Sequence, residues 1–121
     1  IKCSFIKRQF FYLYTQMNKA VLINESKGDV VEIDLDIDPV KKEIFKILSG
    51  PATFIGQWPN LDVVIMKCVN GTKENENTLP PPFHEEIVLG KILLVRMDKD
   101  SEPQDFTLQE YLAFIKEKSS E

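Results

Sequence analysis

His84 is the only histidine in the sequence, and Glu85 and Glu86 follow it directly. A general acid or base needs a second group held near it and a pocket for substrate. His84 and Glu85, with Asp62 as a third group, are the residues that an enzyme would use here. Adjacent glutamates beside one histidine lack the spacing of metal ligands, so no metal site is expected. Glu32, Asp34, Asp36 and Asp38 recur at every second position. On a strand, that period puts four carboxylates on one face. Such a row suits a calcium ion or a basic partner, but its ordinary use is a solvated face that guards a sheet edge. Asp98, Asp100 and Glu102 open like a calcium loop, yet the glycine required at the sixth position is Pro103 and the twelfth is Gln109. Glycine-rich phosphate loops, GxSxG, HExxH and CxxC are all lacking. The sequence therefore names no catalytic residue and implies no cofactor.

Two places suit binding better than chemistry. Trp58-Pro59 falls on a turn, where an exposed indole would anchor an interface and a buried one would fill the core. Leu79, Pro80, Pro81 and Phe83, beside His84, form a proline-rich stretch. Two readings apply to it: an extended ligand for an aromatic-lined groove, or plain loop stiffening.

The elements that position these residues follow from hydrophobic period and turn chemistry. Residues 19–24 form a short apolar run, and 30–35 alternate with Val31, Ile33 and Leu35 on one face; Gly28 lies in the turn between them. Asp38-Pro39 opens a helix with Val40, Ile44, Ile47 and Leu48 as its apolar stripe, ended by Gly50 and Pro51. Residues 52–56 and 61–68 read as strands and 70–86 as a long polar loop. Residues 87–97 return to strand, apolar on both faces from 91 to 96, as a central strand requires. Thr107 and Glu110 form a capping box, Phe106 and Tyr111 a hydrophobic staple, and Leu108, Tyr111, Leu112 and Ile115 the stripe of a last helix. The order is β-β-α-β-β-loop-β-α. It predicts an α+β fold, a mainly antiparallel sheet of about five strands with two helices packed on it.

A helix ending at Gly50, the Asn70-Gly71 loop running into Leu79-Pro80-Pro81, and a strand beginning Gly90-Lys91-Ile92 carry a resemblance. The chain resembles small uncharacterised α+β domains, of unknown function, found in phage, plasmid, viral and some algal or protist genes. The likeness spans residues 18–114. It implies the fold and no activity.

The chain has 121 residues and a formal charge of −4. Residues 1–24 hold four basic groups and no acid, so the remainder carries 11 basic against 19 acidic side chains, a net of −8. That body repels phosphate backbones, so nucleic acid is not an expected partner. No apolar run approaches the roughly 18 residues of a membrane span. Cys3 and Cys68 stand 65 positions apart, which suits free thiols in a cytoplasmic protein rather than a disulfide scaffold. Residues 1–16 include five aromatics. Three readings of them stay open: an extension upstream of a natural start at Met17, an arm that packs on another subunit, or a targeting segment that would make the compartment organellar. Residues 17–118 are expected to form a single domain. The leading functional expectation is a non-enzymatic protein-interaction module, with another protein or a second copy as partner. The alternative is a small-molecule-binding or regulatory module with 70–86 as its lid, and a small enzyme comes last.

Overall fold

The computed structural model describes residues 17–119, so the readings of residues 1–16 lie outside the described residues. Six strands form one sheet: β1 (Asn18–Ile23), β2 (Val30–Leu35), β3 (Ala52–Trp58), β4 (Val63–Cys68), β5 (Ile92–Met97) and β6 (Pro103–Gln104). Helix α1 (Glu43–Leu48) lies between β2 and β3, and α2 (Leu108–Ser119) follows β6. The sheet order is β2-β1-β5-β4-β3, with β6 paired to the end of β5. Every strand pairing is antiparallel. The α+β class and the sheet are as the sequence predicts; β6 is an addition, too short to have a period.

β5 is central because its side chains are apolar on both faces. Ile92 and Leu94 belong to one core, with Val21, Ile23, Val63, Ile65, Phe106, Tyr111 and Phe114. Leu93 and Val95 belong to the other, with Ala20, Leu22, Leu35, Leu48, Met66 and Cys68. The two helices therefore cover opposite faces: α2 the first, α1 the second. Burying one such aliphatic side chain contributes about 1.5–3 kcal/mol.

Four local expectations are corrected. Asp38 does accept the Val40 N–H at 3.0 Å, but it closes only a turn. The helix begins at Glu43, because Lys42 before it is left-handed at φ 53°. Val40 is accordingly 86% exposed, not part of the stripe. At the other end the left-handed residue is Ser49, at φ 63°, not Gly50. The strand expected over 87–97 starts only at Ile92, since Gly90 breaks it at φ 94°. In α2, Leu108, Tyr111 and Ile115 pack on the core as expected, but Leu112 is half exposed and Phe114 takes its place in the stripe.

The α2 start is built as the sequence predicts. Thr107 Oγ1 accepts the Glu110 N–H at 3.1 Å, and Glu110 Oε1 accepts the Thr107 N–H at 3.2 Å. Phe106 and Tyr111 meet edge to face, ring centroids 6.3 Å apart. Arg96, at the end of β5, ties this start to the sheet. Its guanidinium donates to the carbonyls of Leu61 and Asp105, each at 2.9 Å, and pairs with Glu110 at 2.8 Å. Burial alone would raise the Glu110 carboxyl; the Arg96 guanidinium and the Thr107 donors outweigh it and hold the group below the usual carboxylate range.

The acidic row is dispersed rather than gathered. Glu32 accepts the Leu108 N–H at 3.0 Å, Asp34 pairs with Lys19 at 2.6 Å, and buried Asp36 pairs with Lys41 at 2.6 Å. Among the described residues no three His, Cys, Asp or Glu side chains converge to hold a metal ion.

Two asparagines stitch the long loop to the first hairpin. Asn75 is buried, and its Nδ2 donates to the carbonyls of Gly90 at 2.9 Å and Ile23 at 3.3 Å. Asn77 Nδ2 donates to the carbonyls of Asn24 at 2.8 Å and Ser26 at 3.0 Å, and its Oδ1 accepts the Gly28 N–H at 2.8 Å. Asn75→Leu leaves buried carbonyls without a donor, each costing about 1–3 kcal/mol. It is expected to lower the denaturant midpoint by about 2–3 kcal/mol of stability with an unchanged slope. Separately, a carboxyl held low in the native state contributes stability above its unfolded pKa and loses it as pH falls through the native one. Glu110→Gln should therefore lower stability modestly at neutral pH, where the carboxylate is ionised, and converge on the parent at the acid end, so that the acid limb of the stability–pH curve below about pH 5 is flatter.

Candidate functional site

The structure brings together the residues that the sequence singles out for binding, though not as an exposed anchor. Trp58 ends β3 and is 3% exposed. Its Nε1 donates to the Pro81 carbonyl at 3.1 Å. Its ring meets Phe114 at 5.1 Å, Phe83 at 6.1 Å and Tyr111 at 6.3 Å between centroids. The indole is thus the post on which the proline-rich loop rests. The exposed-anchor reading of Trp58 is replaced by the core one. Gly56 allows this arrangement, because a Cβ there would collide with the Phe83 ring. Burial also pushes the Tyr111 phenol well above its usual range.

Leu79 and Pro80 are buried, Pro81 and His84 are exposed, and Phe83 is half-buried. Between this loop and the last turns of α2 runs an open groove of about 320 Å³. Leu79, Pro80, Pro81 and His84 form one wall and Ile115, Lys118 and Ser119 the other. Its lining is mostly apolar. His84, Glu85 and Asp62 are all exposed, and no hydrogen bond or ion pair joins them among the described residues. Of these three, only His84 reaches the groove.

A second surface escaped the sequence reading. Phe54 on β3 is 68% exposed and Phe45 on α1 is 51% exposed. Phe54 lies opposite Met66 of β4, whose side chain belongs to the core under α1, so both phenylalanines stand on the α1 side of the sheet. Val40, before α1, and Val69, whose N–H donates to the Pro51 carbonyl at 2.8 Å, are exposed as well. The signal was present in charge rather than in period: residues 47–61 are 15 consecutive uncharged positions, the longest such run in the chain.

Substitution separates the post's two contributions. Trp58→Phe loses the bond to Pro81 and should cost about 1–1.5 kcal/mol. Trp58→Ala also opens a cavity and should cost about 3–5 kcal/mol. Urea unfolding of both variants measures the difference.

The sheet, the loop and the two covering helices together span the segment by which the chain can be placed. Comparison with curated proteins finds no match, and comparison with solved structures finds none either. A family model described as a family of unknown function, DUF5880, matches residues 21–114. That match runs from within β1 to Phe114 of α2 and so covers most of the described fold, and the chain belongs to this family.

Proposed function

We propose that the chain is a non-enzymatic protein-interaction module whose contact surface is the α1 and β3 side of the sheet. One observation supports this above the others: two phenylalanines, Phe54 and Phe45, stand more than half in water on the same side. Covering one such ring would contribute about 2–3 kcal/mol. Exposed apolar side chains gathered on one side mark contact surfaces more often than scattered ones do. Residues 25–121 carry 11 basic against 19 acidic side chains, which favours a protein partner over a polyanion.

The groove supports a second reading, a small-molecule-binding or regulatory site. Its volume of about 320 Å³ falls at the lower end of small-molecule pockets. A lid made of the whole 70–86 loop fits less well, since opening it would break the bonds of Asn75 and Asn77. The walls are held in place rather than hinged.

A photo-crosslinking amino acid at position 54 tests the first reading in cells expressing the full chain. The expected outcome is protein adducts, self-adducts included, well above those from the same group at Glu117 on α2. Equal yields at the two positions, with adducts instead at His84, would shift the function to the groove.

A further inference from the structure

Strand β3 closes one side of the sheet. β4 satisfies its inner side. Along its outer side, no described residue exchanges a backbone hydrogen bond with Ala52, Thr53 or Phe54. Unpaired strand groups are a template for another strand, and folded proteins ordinarily guard them with charge or cover them. The opposite edge is guarded: β2 carries Glu32 and Asp34, and Glu32 also accepts from the α2 N-terminus. β3 carries no charge and lies within the uncharged run 47–61, and the irregularity between Phe54 and Gly56 leaves Ala52 to Phe54 regular.

We propose that β3 pairs antiparallel with β3 of a second copy, so that one sheet runs through both chains. This rests on the α1 and β3 reading of the contact surface and names its partner and geometry. Charge selects the partner. The full chain carries a net −4, and from residue 25 onward its acids outnumber its bases, so two copies repel wherever those acids would face one another. Pairing through β2 would set the acids of one copy against the same acids of the other, which is destabilising. Pairing through β3 sets no charge against any.

Symmetry selects the same partner. A two-fold axis normal to the sheet keeps the α1 side of both copies on one side. The register of β3 shifts between Phe54 and Gly56, so the regular stretch is Ala52 to Phe54. An axis at Thr53 places Phe54 opposite the partner's Ala52, and Ala52 opposite the partner's Phe54. Each large ring then lies against a small residue, both exposed in the single chain. Thr53 meets the partner's Thr53 on the other face, a favourable cross-strand pair. The strand contact is short, so the α1 side must supply much of the area. Phe54 and Phe45 together expose about 200 Å² per chain, a sizeable share of the ~800 Å² per partner of a standard interface.

Sedimentation velocity of the full chain from ~1 µM to ~200 µM, with amide exchange of the peptide covering 50–55 at both ends of that range, tests the pairing. The expected result is a shift from monomer to dimer, with exchange of that peptide slowed about tenfold in the dimer. Phe54→Lys should stay monomeric at the highest concentration, and Val31→Lys on the other edge should dimerise like the parent. Phe54 is exposed, so its replacement should leave the fold intact; the exchange readout on the parent chain stands even if it does not. A monomer throughout overturns the pairing, and adduct yields at position 54 then decide separately whether the surface serves another protein. A dimer that Phe54→Lys dissolves, but whose 50–55 amides exchange as in the monomer, overturns strand pairing while the contact-surface reading survives.

Discussion

A strand that is apolar on both faces cannot be solvated on either. Ile92, Leu93, Leu94 and Val95 of β5 are all at most 3% exposed, and the rest of the chain is arranged to keep them so. β1 and β4 flank the strand, and each strand's alternation sends its side chains to two separate cores. Each core then needs a lid. Because Arg96 closes β5 and binds the Leu61 carbonyl, the Asp105 carbonyl and Glu110, the strand also fixes where the second helix starts. Removing β5 would leave neither sheet nor helix docking.

The two covers are unequal, and the inequality leads to the functional reading. One face receives twelve residues of α2 together with the loop that Trp58, Asn75 and Asn77 hold down. The other receives six residues of α1 and the turns before it. A six-residue helix cannot shield a sheet of this width. Phe54 is left uncovered at the edge, and Phe45 faces outward from the short helix itself. The thin cover thus coincides with the uncharged edge strand, and the apolar surface and the free main-chain groups lie on one side of the molecule.

Much of the fold was legible in the sequence because it rests on local rules. β2 is predicted to the residue by its alternation, β5 by its double apolar face, and the start of α2 by Thr107, Glu110, Phe106 and Tyr111. What was illegible depends on tertiary context. Nothing in the pattern of 38–48 says that Lys42 is left-handed, and by pattern alone the helix extends back through Val40. Asn75 looks like one polar residue among many, yet it donates to two carbonyls from segments distant in sequence. Trp58 beside a proline reads as a turn residue until Phe83, Tyr111 and Phe114 surround it. Whether Phe54 is central or at an edge is decided by strand order, and strand order has no local signature. Of the residues singled out for binding, Leu79, Pro80, Pro81 and His84 line a groove, while Trp58 and Phe83 lie behind it and support the loop.

Two surfaces now compete: the Phe45 and Phe54 side, and the groove beside His84. A dilution series of amide NMR spectra on the isotopically labelled full chain compares them in one measurement. If β3 pairs with β3 of a second copy, concentration-dependent shifts gather on residues 52–57 and on α1. Shifts gathered instead around His84, Ile115 and Ser119, or spectra that do not change with concentration, would contradict that pairing.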